Sequence, residues 1–388
     1  RRQRQMCIRD RKYGVFALAA FALAACSDDD PKIFGSDAIE IGTDKAGNGG
    51  DYRGFYLLNE GNMGANKCTL DYYDYTTGTY YRNIYSENNP NQVLELGDVG
   101  NDIAVYGNRL YIVVNGSHKV EVLDAETAIR IGQVEINSPR EIAFDGNKAY
   151  VTSFVGAGER GTVQRFDLET LKVEAQATVG YGPEDIVLHD GKLFVANSCN
   201  YGSGAYDNTI TVLDPTTMGV DYTITTSASN LQKIVADQYG NLWVSSMGNY
   251  NDIPAKVIIL KKGTDGRYAE SPMTLYANIG DMCYYDKEIY YYETAYDANW
   301  NATYRFGAYD TASTNAGPIV NRFLEPQVAQ NFQTPYCLTV NPSTGDFFVT
   351  DAKNYTSSGS LYCYDKDWKL KWTVITGDIP GHIAFVHK

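Results

Sequence analysis

The chain has 388 residues, of which 44% are hydrophobic, and this is enough to bury a large core. It carries 47 acidic and 33 basic residues, giving a formal net charge of −14 at pH 7. This balance argues against nucleic acid as a partner, because lysine and arginine supply most of the binding energy for phosphate backbones.

The first 25 residues have the pattern of a secretory signal peptide. An apolar stretch, Tyr13–Ala25, follows Arg9, Arg11 and Lys12 and is too short to span a bilayer. It runs into Cys26 through two alanines, which resembles a bacterial lipobox and predicts lipidation of Cys26; an ordinary secretory signal is the alternative. Residues 1–11 resemble translated adapter sequence, so we exclude them from fold and function.

Residues 26–50 are predicted to form a lipidated, flexible tether. They are polar and rich in Gly and Asp, a composition that does not support a packed core. Ser27–Asp30 (SDDD) resembles the export signal that sends lipoproteins to the outer face of some Gram-negative cells, with a solubilising tail as the alternative. Residues 1–25 hold six basic residues and one acid, so their removal changes the net charge to −19. From the lipobox-like segment and the acidic run after it, we expect an outer-membrane protein that contacts the membrane only through its lipid anchor and faces the cell exterior.

A repeat of roughly 40–50 residues runs from Phe55 to the C-terminus. Each unit has a Pro- or Gly-led strand, a short turn, an aromatic-rich strand, a loop, a strand ending in Asp, and a last strand. Pro139–Val179 and Pro183–Thr226 are two such units. Four strands per repeat with period-two alternation are typical of a β-propeller. The sequence predicts an all-β, seven-bladed β-propeller with four-stranded antiparallel blades, occupying residues 51–388.

The number of blades follows from the apolar residue that opens each inner strand. This residue recurs seven times: Ile103, Ile142, Ile186, Ile234, Met282, Leu338 and Ile383. The chain starts at a second strand, Phe55–Leu58, and ends on an inner strand without followers, His382–Val386. The C-terminal strand is therefore predicted to complete the N-terminal blade and close the ring, which leaves no open sheet edge at the junction.

The loops between second and third strands define a predicted ligand-binding top face. They are long and differ between repeats, whereas the turns on the opposite face are short and alike. A loop diverges when each copy contacts a different part of a ligand, and large aromatics with Asn suit a broad, flat, partly polar molecule. Packing on a neighbouring loop is the alternative role for each aromatic. The candidate ligand-binding residues are Asn62, Asn115, Phe154, Arg160, Tyr181, Asp185, Tyr201, Tyr206, Asn249, Tyr250, Tyr296, Trp300, Phe332, Tyr336 and Tyr355.

A second set of residues is predicted at the propeller axis, because each member directly precedes an opening apolar residue. Its members are Asp102, Glu141, Asp185, Lys233, Asp281, Cys337 and His382. The acids among them have the chemistry to bind a cation or to hydrogen-bond a ligand placed over the pore. Solvated channel acids with Lys233 and His382 as counter-charges are the alternative.

Motifs for catalysis and metal binding are absent from the sequence. The four histidines lack metal-ligand spacing, and no GxSxG or HExxH segment occurs. Apart from Cys7 and Cys26, five cysteines remain at irregular spacings, which indicates neither a disulfide framework nor a zinc site. We expect a non-enzymatic protein without cofactor or metal. A lyase or lactonase with a divalent cation in the channel is the alternative.

The repeat units, such as Pro139–Asp145 (PREIAFD) and Pro183–His189 (PEDIVLH), resemble the YncE-like propeller superfamily. Phe55–Asn62 (FYLLNEGN), Leu70–Asp74 (LDYYD) and Leu96–Ile103 (LGDVGNDI) resemble the branch that includes the BtuG family of vitamin-B12-capturing surface lipoproteins. The resemblance implies a corrinoid (vitamin B12 or another cobamide) as ligand. It also implies a TonB-dependent outer-membrane transporter as partner, on which the propeller sits as a cap. A glycan- or protein-binding propeller lipoprotein is the alternative.

Overall fold

The computed structural model describes residues 33, 35–92, 95–200, 202–299, 301–312, 321–326 and 332–388. The predicted signal peptide and Cys26 lie outside these residues, as do the candidate aromatics Tyr201 and Trp300. The regular secondary structure of the described residues is almost entirely β-strand, with two helices of four residues each, α1 (Thr43–Ala46) and α2 (Tyr85–Asn88). Neither of these helices is long enough to cross a membrane.

Seven antiparallel sheets, called blades 1–7, surround a common axis. Blade 1 starts with β1 (Ala38–Glu40), β2 (Tyr52–Asn59), β3 (Thr69–Asp74) and β4 (Thr79–Tyr81). Blade 2 contains β5 (Gly100–Tyr106), β6 (Arg109–Val114), β7 (Lys119–Asp124) and β8 (Arg130–Glu135). Blade 3 contains β9 (Pro139–Asp145), β10 (Lys148–Ser153), β11 (Thr162–Asp167) and β12 (Val173–Thr178).

The remaining blades continue in chain order. Blade 4 contains β13 (Pro183–His189), β14 (Lys192–Asn197), a separate hairpin of β15 (Cys199–Asn200) and β16 (Ala205–Tyr206), then β17 (Thr209–Leu213) and β18 (Val220–Thr225). Blade 5 contains β19 (Leu231–Ala236), β20 (Leu242–Ser246), β21 (Lys256–Lys262) and β22 (Tyr268–Leu275). Blade 6 contains β23 (Ile279–Tyr285), β24 (Glu288–Tyr296), β25 (Ala302–Asp310) and β26 (Asn321–Leu324). Blade 7 contains β27 (Pro335–Val340), β28 (Phe347–Asp351), β29 (Ser358–Tyr364) and β30 (Leu370–Asp378), and the chain ends with β31 (Pro380–His387).

The predicted fold and its closure are confirmed. Blades 2–7 each have four antiparallel strands, and blade 1 has the order β1-β4-β3-β2-β31. The C-terminal strand therefore supplies the inner strand of the N-terminal blade, with Ile383 opposite Leu57 and Phe385 opposite Phe55. The inner strands β5, β9, β13, β19, β23, β27 and β31 contact one another in sequence around the axis.

One part of the tether prediction is wrong. Ala38–Glu40 pairs antiparallel with β4 as a fifth, outermost strand of blade 1, with Ile39 opposite Tyr80. Ile39 packs against the cluster of Phe55, Tyr80 and neighbouring aromatics. Ile39 and Ile41 have period-two spacing, but the run is too short, in a segment otherwise rich in Gly and Asp, to have indicated this edge strand.

The core lies between neighbouring blades, and tyrosines fasten the blades to one another. Tyr56 of β2 is fully buried, and its hydroxyl donates to the carbonyl of Ala125 in blade 2 at 2.9 Å. Tyr150 of β10 makes the equivalent bond to Pro215 in blade 4 at 3.1 Å. A buried phenol adds apolar area and satisfies its polar end, so the many tyrosines suit a core built from stacked sheets.

Removal of Gly381–Lys388 should abolish cooperative unfolding, because it takes the inner strand from blade 1 and opens the ring. We expect circular dichroism to show no sharp thermal transition for this truncation. Deletion of the residues before Gly49 removes the edge strand β1 and the short helix α1, and should lower the melting temperature by a few degrees, about 1–2 kcal/mol of stability. A C-terminal truncation that melts like the full chain would contradict the role of β31.

Candidate functional site

A cavity of about 760 Å³ runs along the propeller axis. All seven inner strands contribute to its walls, and every residue of the predicted axis set lines it. The prediction that these residues surround a central channel is therefore confirmed. The aspartates among them, however, accept hydrogen bonds from backbone amides, whereas solvated acids were the alternative expected from the sequence.

Each inner strand contains a β-bulge at the level of the axis set, where its register against the second strand shifts. A bulge releases backbone N–H groups from the sheet ladder, and these groups need other acceptors. The aspartates of blades 2, 4 and 6 supply them.

The three axis aspartates bridge neighbouring blades in the same way. Asp185 accepts a hydrogen bond from its own blade at Ile186 N (2.7 Å) and from the next blade at Ile234 N (2.7 Å). Asp102 bonds the amides of Ile103 and Ile142, and Asp281 bonds those of Met282 and Leu338, at 2.7–3.0 Å. The carboxylates thus join blade 2 to 3, 4 to 5 and 6 to 7.

Hydroxyl groups take over this role in blades 3, 5 and 7. Thr152, Ser245 and Thr350 accept hydrogen bonds from the amides of Glu141, Lys233 and Cys337 at 2.9–3.1 Å. Two of them also reach forward: Thr152 donates to Glu184 O (3.0 Å) and Thr350 to Pro380 O (2.7 Å). Aspartates and hydroxyl groups that accept from released amides therefore alternate from blade 2 to blade 7, although the bond to Ser245 stays within blade 5.

Asp185, a candidate ligand residue, consequently has a structural role with both oxygens engaged. Burial raises the pKa of Asp185 to about 6, despite the hydrogen bond from Ile234 N that favours its ionised form. Among the described residues, no group of three or more His, Cys, Asp or Glu side chains is arranged to hold a metal ion.

The channel mouth carries a polar network one residue above the axis set. Arg140 donates to Glu184 Oε2 through Nε (3.0 Å) and Nη2 (2.5 Å), and through Nη1 to Asn101 Oδ1. Gln232 Nε2 donates to Ser198 Oγ at 3.1 Å and to Asn230 Oδ1 at 2.9 Å. Guanidinium, carboxylate and amide groups thus line the mouth over blades 2–5. They were missed because sequence spacing does not reveal how a bulge turns its side chains.

On the other side of the mouth, Glu60 and Tyr336 form a pair. The Tyr336 hydroxyl donates to Glu60 Oε2 at 3.0 Å, and His382 Nε2 lies 3.7 Å from Glu60 Oε1. Burial raises the pKa of Glu60 to about 7, although the bond from Tyr336 favours its ionised form. Burial also lowers the pKa of His382, so that its neutral form is favoured.

The segments Phe55–Asn62 and Leu96–Ile103 form one unit that holds Glu60 in place. Asp98 accepts hydrogen bonds from Gly64 N (2.8 Å) and Asn66 N (3.0 Å), and so fixes the loop after Glu60. Gly100 N donates to the Glu60 carbonyl at 3.0 Å. Hydrogen bonds therefore join these two segments beside the channel, and together they hold Glu60 in place.

Four tyrosines from four successive blades are exposed above this mouth. Tyr206, Tyr250, Tyr296 and Tyr355 are 37%, 69%, 57% and 45% exposed. The rings of Tyr206 and Tyr250 lie 5.8 Å apart, and those of Tyr355 and Tyr336 lie 6.1 Å apart. Burial raises the pKa of Tyr250, with Tyr206 and Tyr296 adding to the shift, and burial, Tyr296 and Glu60 raise that of Tyr355. We call Tyr206, Tyr250, Tyr296, Tyr355 and Tyr336 the tyrosine arc.

Blade 3 contributes a second, cationic part of the top face. Arg140 lies 4.6 Å above the ring of Phe154, and Arg160 lies 5.8 Å above that of Tyr181. Arg160 Nε also donates to Val179 O at 2.7 Å, which fixes its stem at the end of blade 3. Three candidates, Phe154, Arg160 and Tyr181, therefore form cation–π pairs opposite the tyrosine arc.

Other candidates serve the scaffold of the loops. Asn62 Nδ2 donates to Tyr355 O at 2.5 Å, and Asn115 Nδ2 to Pro139 O at 2.9 Å. Asn249 Oδ1 accepts from Asn251 N and Ile253 N, which shapes the loop that presents Tyr250. Phe332 is only 7% exposed and packs between blades 6 and 7, so its position corresponds to the packing alternative.

Comparison with known proteins places the chain in a family. It belongs to the family described as a domain of unknown function, DUF5074, whose model matches residues 53–370. Kuenenia stuttgartiensis hydrazine synthase is similar in structure, with 18% identity, a TM-score of 0.60, and coverage of 74% of this chain and 89% of that chain. A quinonprotein alcohol dehydrogenase-like protein from Bacteroides thetaiotaomicron is also similar, with 16% identity, a TM-score of 0.59, and coverage of 87% and 79%. Identities this low show the propeller fold alone. No curated protein matches the chain.

Asp281→Ala should destabilise the protein by about 3 kcal/mol, because it leaves the buried amide of Leu338 without an acceptor and Lys233 without its partner at 2.5 Å. Urea unfolding measures the difference. Asp37→Ala, which breaks the exposed Arg82 ion pair, is the control and should cost less than about 1 kcal/mol. Equal effects of both substitutions would argue against the bridging role.

Stability should fall as pH rises from 5 to 8. Glu60 and Asp185 have folded-state pKa values of about 7 and about 6, above their ordinary values. Their contribution is therefore fully present below about pH 4 and is lost as pH rises through 6 to 7. In denaturant titrations at each pH, Glu60→Gln should reduce the loss of unfolding free energy between pH 5 and pH 8 by at most about 3 kcal/mol. The exposed control Glu135→Gln should leave the slope as it is; an unchanged slope in Glu60→Gln would contradict the assignment.

Proposed function

We propose that this DUF5074 protein is an outer-surface lipoprotein that captures a corrinoid on its top face and delivers it to a TonB-dependent outer-membrane transporter. The observation that carries the proposal is the tyrosine arc above the channel mouth, with four exposed phenol rings from blades 4–7. Exposed aromatics gathered on one face of a rigid scaffold are typical of a binding surface for a large ligand.

The chemistry of a corrinoid matches both parts of this face. Its macrocycle is broad and largely apolar, so it can lie on phenol rings, which offer contact area at low entropy cost. Its rim carries amide groups that both donate and accept hydrogen bonds. The mouth is lined by guanidinium, amide and carboxylate groups of Arg140, Gln232, Glu184 and Glu60, a polar surface that supports such a fit.

The arc is held in place before a ligand arrives. Tyr250 and Tyr355 both have positive φ, 55° and 64°, in loops fixed by side-chain hydrogen bonds. Asn249 caps one loop, while Asn354 Oδ1 accepts from Thr356 N and Ser357 N in the other. A pre-organised surface loses little conformational entropy on binding, which favours tight capture.

Surface location and delivery rest on the N-terminal signals and the family resemblance. The lipobox-like segment before Cys26 predicts the membrane anchor, and the acidic residues after it suggest export to the exterior. A cap that releases its ligand to a transporter needs its binding face free, and a tethered propeller with the site on one face meets this requirement.

Calorimetric titration of the chain without residues 1–25 with cyanocobalamin tests the proposal. We expect one-to-one binding, weakened about tenfold or more by Tyr250→Ala, because base-sized aromatic contacts contribute on the order of 1–3 kcal/mol. Haem serves as the ligand control. Tyr239→Ala removes a similarly exposed tyrosine from a turn on the opposite face and should leave affinity unchanged.

Three other outcomes would redirect the assignment. Absence of binding at high micromolar cyanocobalamin would discard the corrinoid and move the search to glycans, for which the same aromatics and amides are suitable. Equal weakening by Tyr239→Ala would move the site away from the top face. Metal in the purified protein, with activity lost on Asp185→Asn, would favour the lyase or lactonase alternative.

A further inference from the structure

Glu60 lies at the channel mouth, where the axial cavity opens towards the proposed ligand-binding face. Its side chain is 15% exposed, and its carboxyl group lies at the channel mouth between Tyr336 and His382. A Cβ at Gly381 would lie 2.4 Å from Glu60 Oε1, so the glycine makes the space that the carboxyl occupies.

Glu60 is linked to the tyrosine arc through two contacts. Tyr336 donates to Glu60 Oε2, and its ring meets Tyr355 edge to face at 6.1 Å. Asn62, two residues after Glu60, donates to the Tyr355 carbonyl. The orientation of Tyr355 therefore depends on the Glu60 segment by side chain and by backbone.

The groups that face Glu60 come from several elements, and few of them compensate an ionised carboxylate. They are Tyr336 and Cys337 of β27, His382 of β31, Arg140 of β9, Cys68 beside β3, and Tyr355 after β28. Arg140 is engaged with Glu184 and Asn101, and His382 also lies 3.9 Å from Asp102. Burial raises the pKa of Glu60 to about 7, so both protonation states are populated near neutrality.

We propose that Glu60 is a proton-controlled positioning residue. It fixes Tyr336 against Tyr355, and it takes up a proton when an uncharged ligand binds and covers the mouth. This inference rests on the proposed function of the top face. Covering the mouth removes the remaining water from the carboxyl group. An ionised carboxylate loses solvation in that step, whereas the neutral acid loses little.

The same argument defines the class of ligand. A ligand with a cationic group over Glu60 would replace the lost solvation and favour the ionised form, so its affinity would rise with pH. A ligand whose groups facing the mouth are neutral, such as carboxamides, would bind more weakly as pH rises. The protonation state of Glu60 at the channel mouth therefore determines whether a ligand with neutral or with cationic groups binds more tightly.

Titration calorimetry with cyanocobalamin at pH 6, 7.5 and 8, in buffers of different ionisation enthalpy, tests this. With Glu60 half ionised at about pH 7, binding should take up about three quarters of a proton at pH 7.5. Affinity should fall about tenfold between pH 6 and pH 8, since only about a tenth of Glu60 is protonated at the higher pH.

Two variants separate this role from a merely structural one. Glu60→Gln should remove the proton uptake and reduce the ratio of dissociation constants at pH 8 and pH 6 to about one. Tyr336→Phe removes a hydrogen bond that lowers the pKa of Glu60, so it should move the midpoint of the affinity profile to higher pH. Glu135→Gln, an exposed acid on β8, should retain the parent profile.

Each outcome decides the matter. Binding without proton uptake, or a pH dependence that survives in Glu60→Gln, would overturn the inference and leave corrinoid capture standing. A midpoint that falls in Tyr336→Phe would also overturn it. Absence of cyanocobalamin binding at every pH would overturn the proposed function and this inference together.

Discussion

The structure depends on the bridges that carry backbone hydrogen bonds from one inner strand to the next. Every inner strand has a bulge, and the amides it releases are bonded by aspartate in blades 2, 4 and 6 and by a hydroxyl in blades 3, 5 and 7. An alternation of two kinds cannot close on a ring of seven. The mismatch falls on blade 1, the blade built from both ends of the chain, where His382 occupies the axis position and Leu58 replaces the hydroxyl.

This mismatch explains why the titratable residues Glu60 and His382 lie next to each other in blade 1. Asp102, Asp185 and Asp281 are each bonded to two backbone amides, whereas among the described residues no aspartate or hydroxyl side chain bridges β31 forward to β5. The space beside His382 is occupied by Glu60, which arrives from the end of β2 and is held by Tyr336. A carboxyl group bonded by one phenol is far less compensated than one bonded by two amides.

Much of this architecture could be predicted from the sequence, because strand period, turn residues and the recurring apolar residue repeat seven times. The axis set was also placed correctly, since it follows from the same spacing. Its chemistry was not predictable: whether Asp185 faces solvent or two amides depends on a bulge, and a bulge leaves no signal in the alternation of residues. Arg140 and Glu184 stand one position earlier and were overlooked for the same reason. The alternation of Ile39 and Ile41 was too short to indicate an edge strand.

The top face was harder to predict residue by residue, because loop side chains have two competing uses. Asn249 and Asn62 bond backbone groups of the loops, and Phe332 fills the gap between blades 6 and 7. These roles leave Tyr250, Tyr296 and Tyr355 as the exposed rings of a fixed surface. Rigidity thus reaches the proposed ligand face from the axis: amide bridges fix the inner strands, the inner strands fix Glu60 and Tyr336, and Tyr336 supports the arc. Glu60 and Asp185 both have pKa values raised towards neutrality, to about 7 and about 6, but Glu60 is the one of the two that bonds Tyr336 of the arc. The proposed control of capture by protons is therefore assigned to blade 1.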